Sequence, residues 1–221
     1  MRGARYLNLK GRLKHISDVF NSKDYDFIID TCCDHGHLGL ALSKKSSLTN
    51  IFLIDINEGI IHRLNQKKLP DNVKAFCLDA QLFELERGKS LVIVAGVGGE
   101  LAIKIISSII NKKHVDCEVD FIIAANNKNH LVRKKLQSLG FKSYKEDLIF
   151  DNEIGYEIIF SKFMKGKDFD SVGKQMFDHR NKEHLIFAQK KMKLYQVKSR
   201  YQPIYESIYQ EYDALLQSFK S

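Results

Sequence analysis

Short β-branched apolar runs and stretches of helical spacing alternate along the first 165 residues. Leu9, Leu13, Ile16 and Phe20 share one helical face, with lysines and arginines between them, and predict an amphipathic N-terminal helix. Phe27 to Asp30 reads as a short strand ending on an acid, Thr31 to Gly36 as a polar turn, and Leu38, Leu40, Ala41 and Leu42 as helix positions. Ile51 to Asp55 repeats the strand, and the helix after it, from about Glu58 to Lys68, is stopped by Pro70. Val73 to Leu78 predicts a third strand closed by Asp79, Leu91 to Ala95 a fourth, and Phe121 to Ala125 a fifth. A helix from about Asn129 to Leu139 ends on Gly140. Ser143–Phe150 and Tyr156–Phe160, joined through Asp151-Asn152-Glu153, predict an antiparallel hairpin.

Strands that alternate with helices argue for an α/β fold with a doubly wound parallel sheet. A terminal antiparallel hairpin is the arrangement of class I methyltransferases, whereas a dehydrogenase-type domain more often ends in another crossover. The expected architecture is a mostly parallel, seven-stranded, Rossmann-like sheet over residues 1–165 and a small α-helical extension over 166–221. Tyr195, Tyr201, Tyr205, Tyr209 and Tyr212 in that extension are expected to pack helices together rather than to stack bases.

Composition narrows the function classes. The chain has 44% hydrophobic and 28% charged residues, and no apolar run approaches the ~20 residues that cross a bilayer. No apolar segment follows the basic N-terminus, so no signal peptide is expected. Cys32, Cys33, Cys77 and Cys117 have no disulfide-framework spacing, which suits a reducing cytoplasm. Net charge is +8, favouring a polyanionic partner such as a nucleic acid over a merely basic soluble protein. The excess is localised. Arg2, Arg5, Lys10, Arg12 and Lys14 open the chain, and eight cations between Lys174 and Arg200 face only Asp178 and Glu183.

Three acids close successive strands: Asp30, Asp55 and Asp79. In a doubly wound sheet such ends line one crevice. An acid after strand two can accept both ribose hydroxyls, and one after strand three the adenine amino group. An acid after strand one suits a cationic amino-acid end and opposes a pyrophosphate, which seeks glycines and N–H groups. No G-x-G-x-x-G follows strand one. The pattern favours S-adenosylmethionine over a dinucleotide, set against the simpler reading of the acids as helix N-caps. Gly96, Gly98 and Gly99 after the fourth strand permit a sharp turn close to a ligand, before a helix carrying Leu101, Ile105 and Ile109. The run Cys32-Cys33-Asp34-His35-Gly36-His37 has poor spacing for zinc, and no metal is expected.

Asp30-Thr31-Cys32-Cys33-Asp34-His35-Gly36, Ala95-Gly96-Val97-Gly98-Gly99 and Asn152 to Ile159 resemble, in order and spacing, motifs of the bacterial tRNA (adenine-22-N1)-methyltransferases. The similarity covers residues 5–162. It differs at Cys32, where most members have glycine, and at Ala124-Ala125-Asn126, where Gln-Pro-Asn is usual. The resemblance implies methyl transfer from S-adenosylmethionine to N1 of an adenosine in the D-arm region of tRNA. It implies cofactor contacts from Asp30, Asp34, His35, Gly36, Asp55, Ile56, Asp79, Ala80, Ala95 and Gly96. Glu100, Asn126 and Tyr156 are the candidates at the target base, Tyr156 being readable equally as a core aromatic. Arg12, Lys14, Lys190, Lys191, Lys193 and Arg200 are the candidates for RNA backbone. Two alternatives remain: a methyltransferase acting on another RNA or a small molecule, and a degenerate RNA-binding homologue. Oligomeric state is open, with a monomer favoured.

Overall fold

The computed structural model describes residues 9–19 and 24–219; Arg2, Arg5 and Phe20 lie outside them. Helix α1 (Gly11–Val19) is followed by β1 (Phe27–Thr31), α2 (His37–Ser43), β2 (Asn50–Asp55), α3 (Glu58–Asn65) and β3 (Val73–Cys77). Next come β4 (Gly88–Ala95), α4 (Gly99–Lys112), β5 (Cys117–Ala124), α5 (Asn129–Ser138), β6 (Phe141–Asp151) and β7 (Ile154–Phe163). Helices α6 (Lys182–Ser199) and α7 (Glu206–Ser218) close the described chain. The strands form one sheet in the order β3-β2-β1-β4-β5-β7-β6. The first five are parallel, while β7 runs antiparallel to both β5 and β6. This is the expected class I methyltransferase architecture, with helices appended after it.

The apolar runs explain the layering. Leu91 to Val94 are at most 1% exposed because β4 lies mid-sheet with helices on both faces. Ile105, Ile106 and Ile109 of α4, with Val132 and Leu136 of α5, cover Val92, Val94 and Ile123 on one face. Ile16 of α1, Leu38 and Leu42 of α2, and Ile61 and Leu64 of α3 cover Ile28, Leu53 and Ile93 on the other. Each such side chain contributes about 1.5–3 kcal/mol by leaving water.

Several elements differ from their predicted bounds. β4 begins at Gly88 and β5 at Cys117. Lys89, Glu118 and Asp120 interrupt the apolar run there, and the backbone ladder continues through them. β3 ends at Cys77, and Asp79 instead caps a short 3-10 turn by accepting from Gln81 N at 2.9 Å. The hairpin strands are longer than predicted, and its turn residues Asn152 and Glu153 both have positive φ, 49° and 64°. That pairing gives the twist of a two-residue hairpin.

A small separate core forms under α6 and α7 around Tyr195 and Tyr212, whose rings stack with centroids 5.8 Å apart. Tyr205 also packs on Tyr195, but Tyr201 is 81% exposed and, among the described residues, stacks on no other ring. The appendage is tied to the sheet by a buried ion cluster. Arg133 of α5 donates to Glu146 Oε2 of β6 at 2.6 and 2.8 Å and meets Glu157 Oε2 of β7 at 2.8 Å. Lys191 of α6 reaches Glu157 Oε1 at 3.0 Å. Two cations balance two carboxylates, and despite burial the neighbouring Lys191 and Arg133 charges hold Glu157 down at about 2. No helix among the described residues is long and apolar enough to cross a membrane.

Candidate active site

The carboxyl ends of β1, β2 and β4 converge on one crevice. The loop from β1 to α2 winds tightly there: Cys32, Asp34 and Gly36 all have positive φ, at 54°, 49° and 69°. Cys32 therefore stands in backbone that favours glycine, and a side chain there costs about 1–2 kcal/mol. The loop is pinned to β2, since Cys33 N donates to Ile54 O at 3.0 Å and Asp34 N to Asp55 Oδ2 at 3.1 Å.

Asp30 sits one residue inside β1 rather than at its end, paired across to Leu53 and Ile93. It is 3% exposed, and its Oδ2 accepts from Gly39 N at 3.1 Å. Burial, opposed by that hydrogen bond and reinforced by the Asp55 charge, pushes its carboxyl up to about 7. Asp55 does end β2, with Oδ1 accepting from Asn57 N at 2.9 Å and Oδ2 engaged by Asp34 N. Asp79 is half-buried, and Ala80 beyond it is buried. Ile56 remains 72% exposed beside Asp55, and Leu82 60% exposed beyond Asp79. Both are apolar surfaces open to a ring.

The glycine turn closes the other side. Gly96 has φ 85°, donates its N–H to Ala124 O at 3.1 Å, and accepts at its own carbonyl from Asn126 Nδ2 at 2.8 Å. Asn126 N donates to Val97 O at 2.8 Å, so the end of β5 is stitched to the turn. Gly99 serves packing: a Cβ there would lie 2.6 Å from the Asn127 carbonyl oxygen. Between loop and turn lies a cavity of about 310 Å³, bounded by Asp30, Cys32, Asp34, His35, Ala95 and Gly96, with Arg12 among its walls.

Arg12 is the residue whose place differs most from expectation. From the first turn of α1 its guanidinium lies over the Tyr156 ring, 4.9 Å from the centroid, and Nη1 donates to Asn126 Oδ1 at 3.1 Å. Arg12, Asn126 and Tyr156 thus stand together. Glu100 does not join them. It is exposed on the first turn of α4, pairs with Lys128 at 2.6 Å, and that lysine holds its carboxyl below the ordinary range. His35 pairs with Asp34 at 2.7 Å and stacks on His37, whose imidazole burial and the His35 charge hold below its usual range.

Lys190, Lys193 and Arg200 are exposed on α6 and just after it, and Lys14 is exposed on α1. Lys191 is occupied by Glu157, so its charge is already balanced within the fold. The Arg133–Glu146–Glu157 cluster went unpredicted, because charged residues inside strands read as solvent-facing until their partners are known. Among the described residues no group of His, Cys, Asp and Glu side chains is placed to hold a metal ion.

Comparison with known proteins agrees with this geometry. Residues 9–159 match the family described as a methyltransferase domain, and the chain belongs to that family. A provisionally named tRNA methyltransferase of Mycoplasma genitalium is 27% identical over 207 residues, covering 88% of each chain. TrmK of Mycoplasma capricolum, solved with the cofactor product S-adenosylhomocysteine, superposes with a TM-score of 0.74 at 16% identity, over 96% of this chain and 98% of that one. TrmK of Bacillus subtilis, a methyltransferase of tRNA adenosine 22, gives 0.66 at 14% identity over 97% and 98%. At such identities the two structures bear on the fold alone.

Proposed function

We propose that this chain transfers a methyl group from S-adenosylmethionine to N1 of an adenosine in tRNA, in the D-arm region at position 22. One observation carries the reading: Asp30 one residue inside the end of β1, Asp55 at the end of β2 and Asp79 just beyond β3 lie at the carboxyl edge of three adjacent parallel strands in a methyltransferase-family fold, and the glycine turn lines one cavity with Asp30. When bound, S-adenosylmethionine supplies an electrophilic sulfonium methyl, which passes from sulfur to the adenine nitrogen. The residues fit that cofactor. Asp30 keeps acceptor capacity beyond its one backbone N–H for a cationic amino-acid end. Asp55 retains lone pairs for ribose hydroxyls, while Ile56 and Leu82 offer exposed apolar surface to the adenine ring.

Adenine N1 carries an in-plane lone pair, so no base is needed to unmask it, and the product ring is cationic. What the chain must supply is alignment and negative potential. Asn126 and Tyr156 stand at the glycine turn to orient the ring, and the three acids supply the potential. N1 is occupied in a paired helix, so the base has to be extruded into the site. Lys190, Lys193 and Arg200 are exposed and placed to hold phosphates, whereas Lys14 is shared with Asp18, and the names of the M. genitalium and B. subtilis relatives support tRNA as the partner. The four free thiols suit a reducing cytoplasm.

The test is methyl transfer from radiolabelled S-adenosylmethionine to bulk tRNA, ribosomal RNA and free adenosine in parallel. Incorporation into tRNA alone is expected. Label in ribosomal RNA or adenosine instead would favour the other substrate classes. Calorimetry showing no cofactor binding would favour a degenerate homologue.

A further inference from the structure

The cavity between cofactor loop and glycine turn has in its wall a planar side chain with the hydrogen-bonding character of an amino-bearing base. The Arg12 guanidinium is flat, lies on the Tyr156 ring, and presents an N–H to Asn126 Oδ1. The arrangement is built. Ile16 anchors α1 at 0% exposure, and His15 Nε2 meets Asp147 Oδ2 at 2.7 Å. Asn126 cannot turn freely, because its Nδ2 is committed to the Gly96 carbonyl and its backbone N to Val97 O. Its Oδ1 is therefore left as the outward acceptor. Gly96 is part of the same design, since a Cβ there would lie 2.9 Å from Arg12 Nη2. Among the described residues no carboxylate pairs with Arg12, so a ring and one amide hold it.

Adenine offers what the guanidinium offers: a π face, and an amino donor at N6, directly beside the N1 to be methylated. Guanine and hypoxanthine present an O6 acceptor there, which would oppose Asn126 Oδ1. We propose that Arg12 occupies the berth of the target base, and that an incoming adenine displaces it, stacking on Tyr156 and giving its N6 amino group to Asn126 Oδ1. Asn126 is then the residue that selects adenine, and Arg12 the positioning residue that keeps its acceptor aligned until the base arrives. The proposal rests on the RNA-methylating reading of the site.

Two measurements on the full chain with S-adenosylhomocysteine test it. Adenosine, which carries no phosphate, should bind Arg12→Ala roughly tenfold tighter than the parent chain. That is the range of an exposed cation–π contact together with one hydrogen bond. Inosine should gain less, and Asn126→Ala should abolish the preference for adenosine over inosine. Unchanged or weaker adenosine binding by Arg12→Ala would overturn the proposal. The second measurement needs no variant beyond assignment. The Arg12 Nε–Hε resonance, identified by its absence from Arg12→Ala, should carry the upfield shift of the Tyr156 ring and lose it when bulk tRNA is added. A resonance that stays in place while tRNA binds would also overturn it. A chain that binds neither cofactor nor tRNA would instead remove the methyltransferase reading, an outcome distinct from both.

Discussion

The place proposed for Asp30, against the cationic end of the cofactor, predicts that cofactor binding depends on pH. Its carboxyl is 3% exposed, accepts one backbone hydrogen bond from Gly39, and has Asp55 as a like-charged neighbour. Its affinity for a proton consequently rises from the ordinary 3.8 to about 7. The difference corresponds to about 4 kcal/mol by which the folded chain favours the protonated form. The unfolded chain loses this proton near pH 4, whereas the folded chain keeps it to about pH 7. Stability from Asp30 is thus complete below pH 4 and is lost as pH rises to 7. Asp30→Asn should be more stable than the parent at pH 8, and the gap should close toward pH 4 in thermal melts. A cation seated against Asp30 needs the carboxylate, so binding below pH 7 must expel a proton. Calorimetry in buffers of different ionisation enthalpy should show close to one proton released at pH 6 and none from this source at pH 8.5. In Asp30→Asn that release should vanish, while the cofactor's own amino group titrates equally for both proteins. If the parent and Asp30→Asn show the same proton release at pH 6, Asp30 does not face the cationic end and the cofactor's orientation is wrong.

Further outcomes follow from the same geometry. Asp55→Ala removes the acceptor assigned to the ribose and also the anchor of Asp34 N, and should weaken S-adenosylmethionine by about 3 kcal/mol, more than a hundredfold in Kd by calorimetry. Glu157→Gln leaves Arg133 and Lys191 short of a counter-charge in a buried site and should cost about 3–5 kcal/mol in urea unfolding. Because the folded Glu157 carboxyl is depressed to about 2, its contribution is full above pH 4.5 and lost between there and pH 2. The parent's acid transition over that window should therefore be flattened in the variant. Replacing Lys190, Lys193 and Arg200 together by Gln should lower the salt dependence of tRNA binding by a slope of about 2–3, read by filter binding across a salt series. An unchanged slope would place the RNA elsewhere on the surface.

The alternation of periods made the sheet legible, because parallel strands buried on both faces write themselves as apolar runs: Ile51 to Ile54 and Leu91 to Val94 needed no tertiary information. The crevice was legible for the same reason, since strand ends in a doubly wound sheet share one edge, and Asp55 stands where the pattern put it. Cys32 carries a side chain in backbone that favours glycine, its φ being 54°, and no periodic pattern announces such a position. What could not be read were contacts between residues far apart in sequence. Arg12 meets Asn126 across 114 positions, and nothing in its local pattern distinguishes it from Lys14, which forms an ordinary exposed pair with Asp18. Lys191 resembles Lys190 in sequence, yet one helical position turns it inward to Glu157. Arg133, Glu146 and Glu157 read as surface charges on a helix and two strands, and it is the segment from Ser171 to Met176 that packs on Arg133 and Glu146, with Lys191 of α6 closing on Glu157.

The central claim concerns one atom of one base, and mass-spectrometric mapping of methylated nucleosides tests it most directly. Bulk tRNA lacking the modification would be incubated with the chain and S-adenosylmethionine, digested to nucleosides for identity, and digested to fragments for position. The account predicts 1-methyladenosine as the new nucleoside, in a fragment from the D-arm region at position 22. The appearance of N6-methyladenosine, of a methylated guanosine or pyrimidine, or of no new nucleoside from a chain that binds the cofactor, would contradict it.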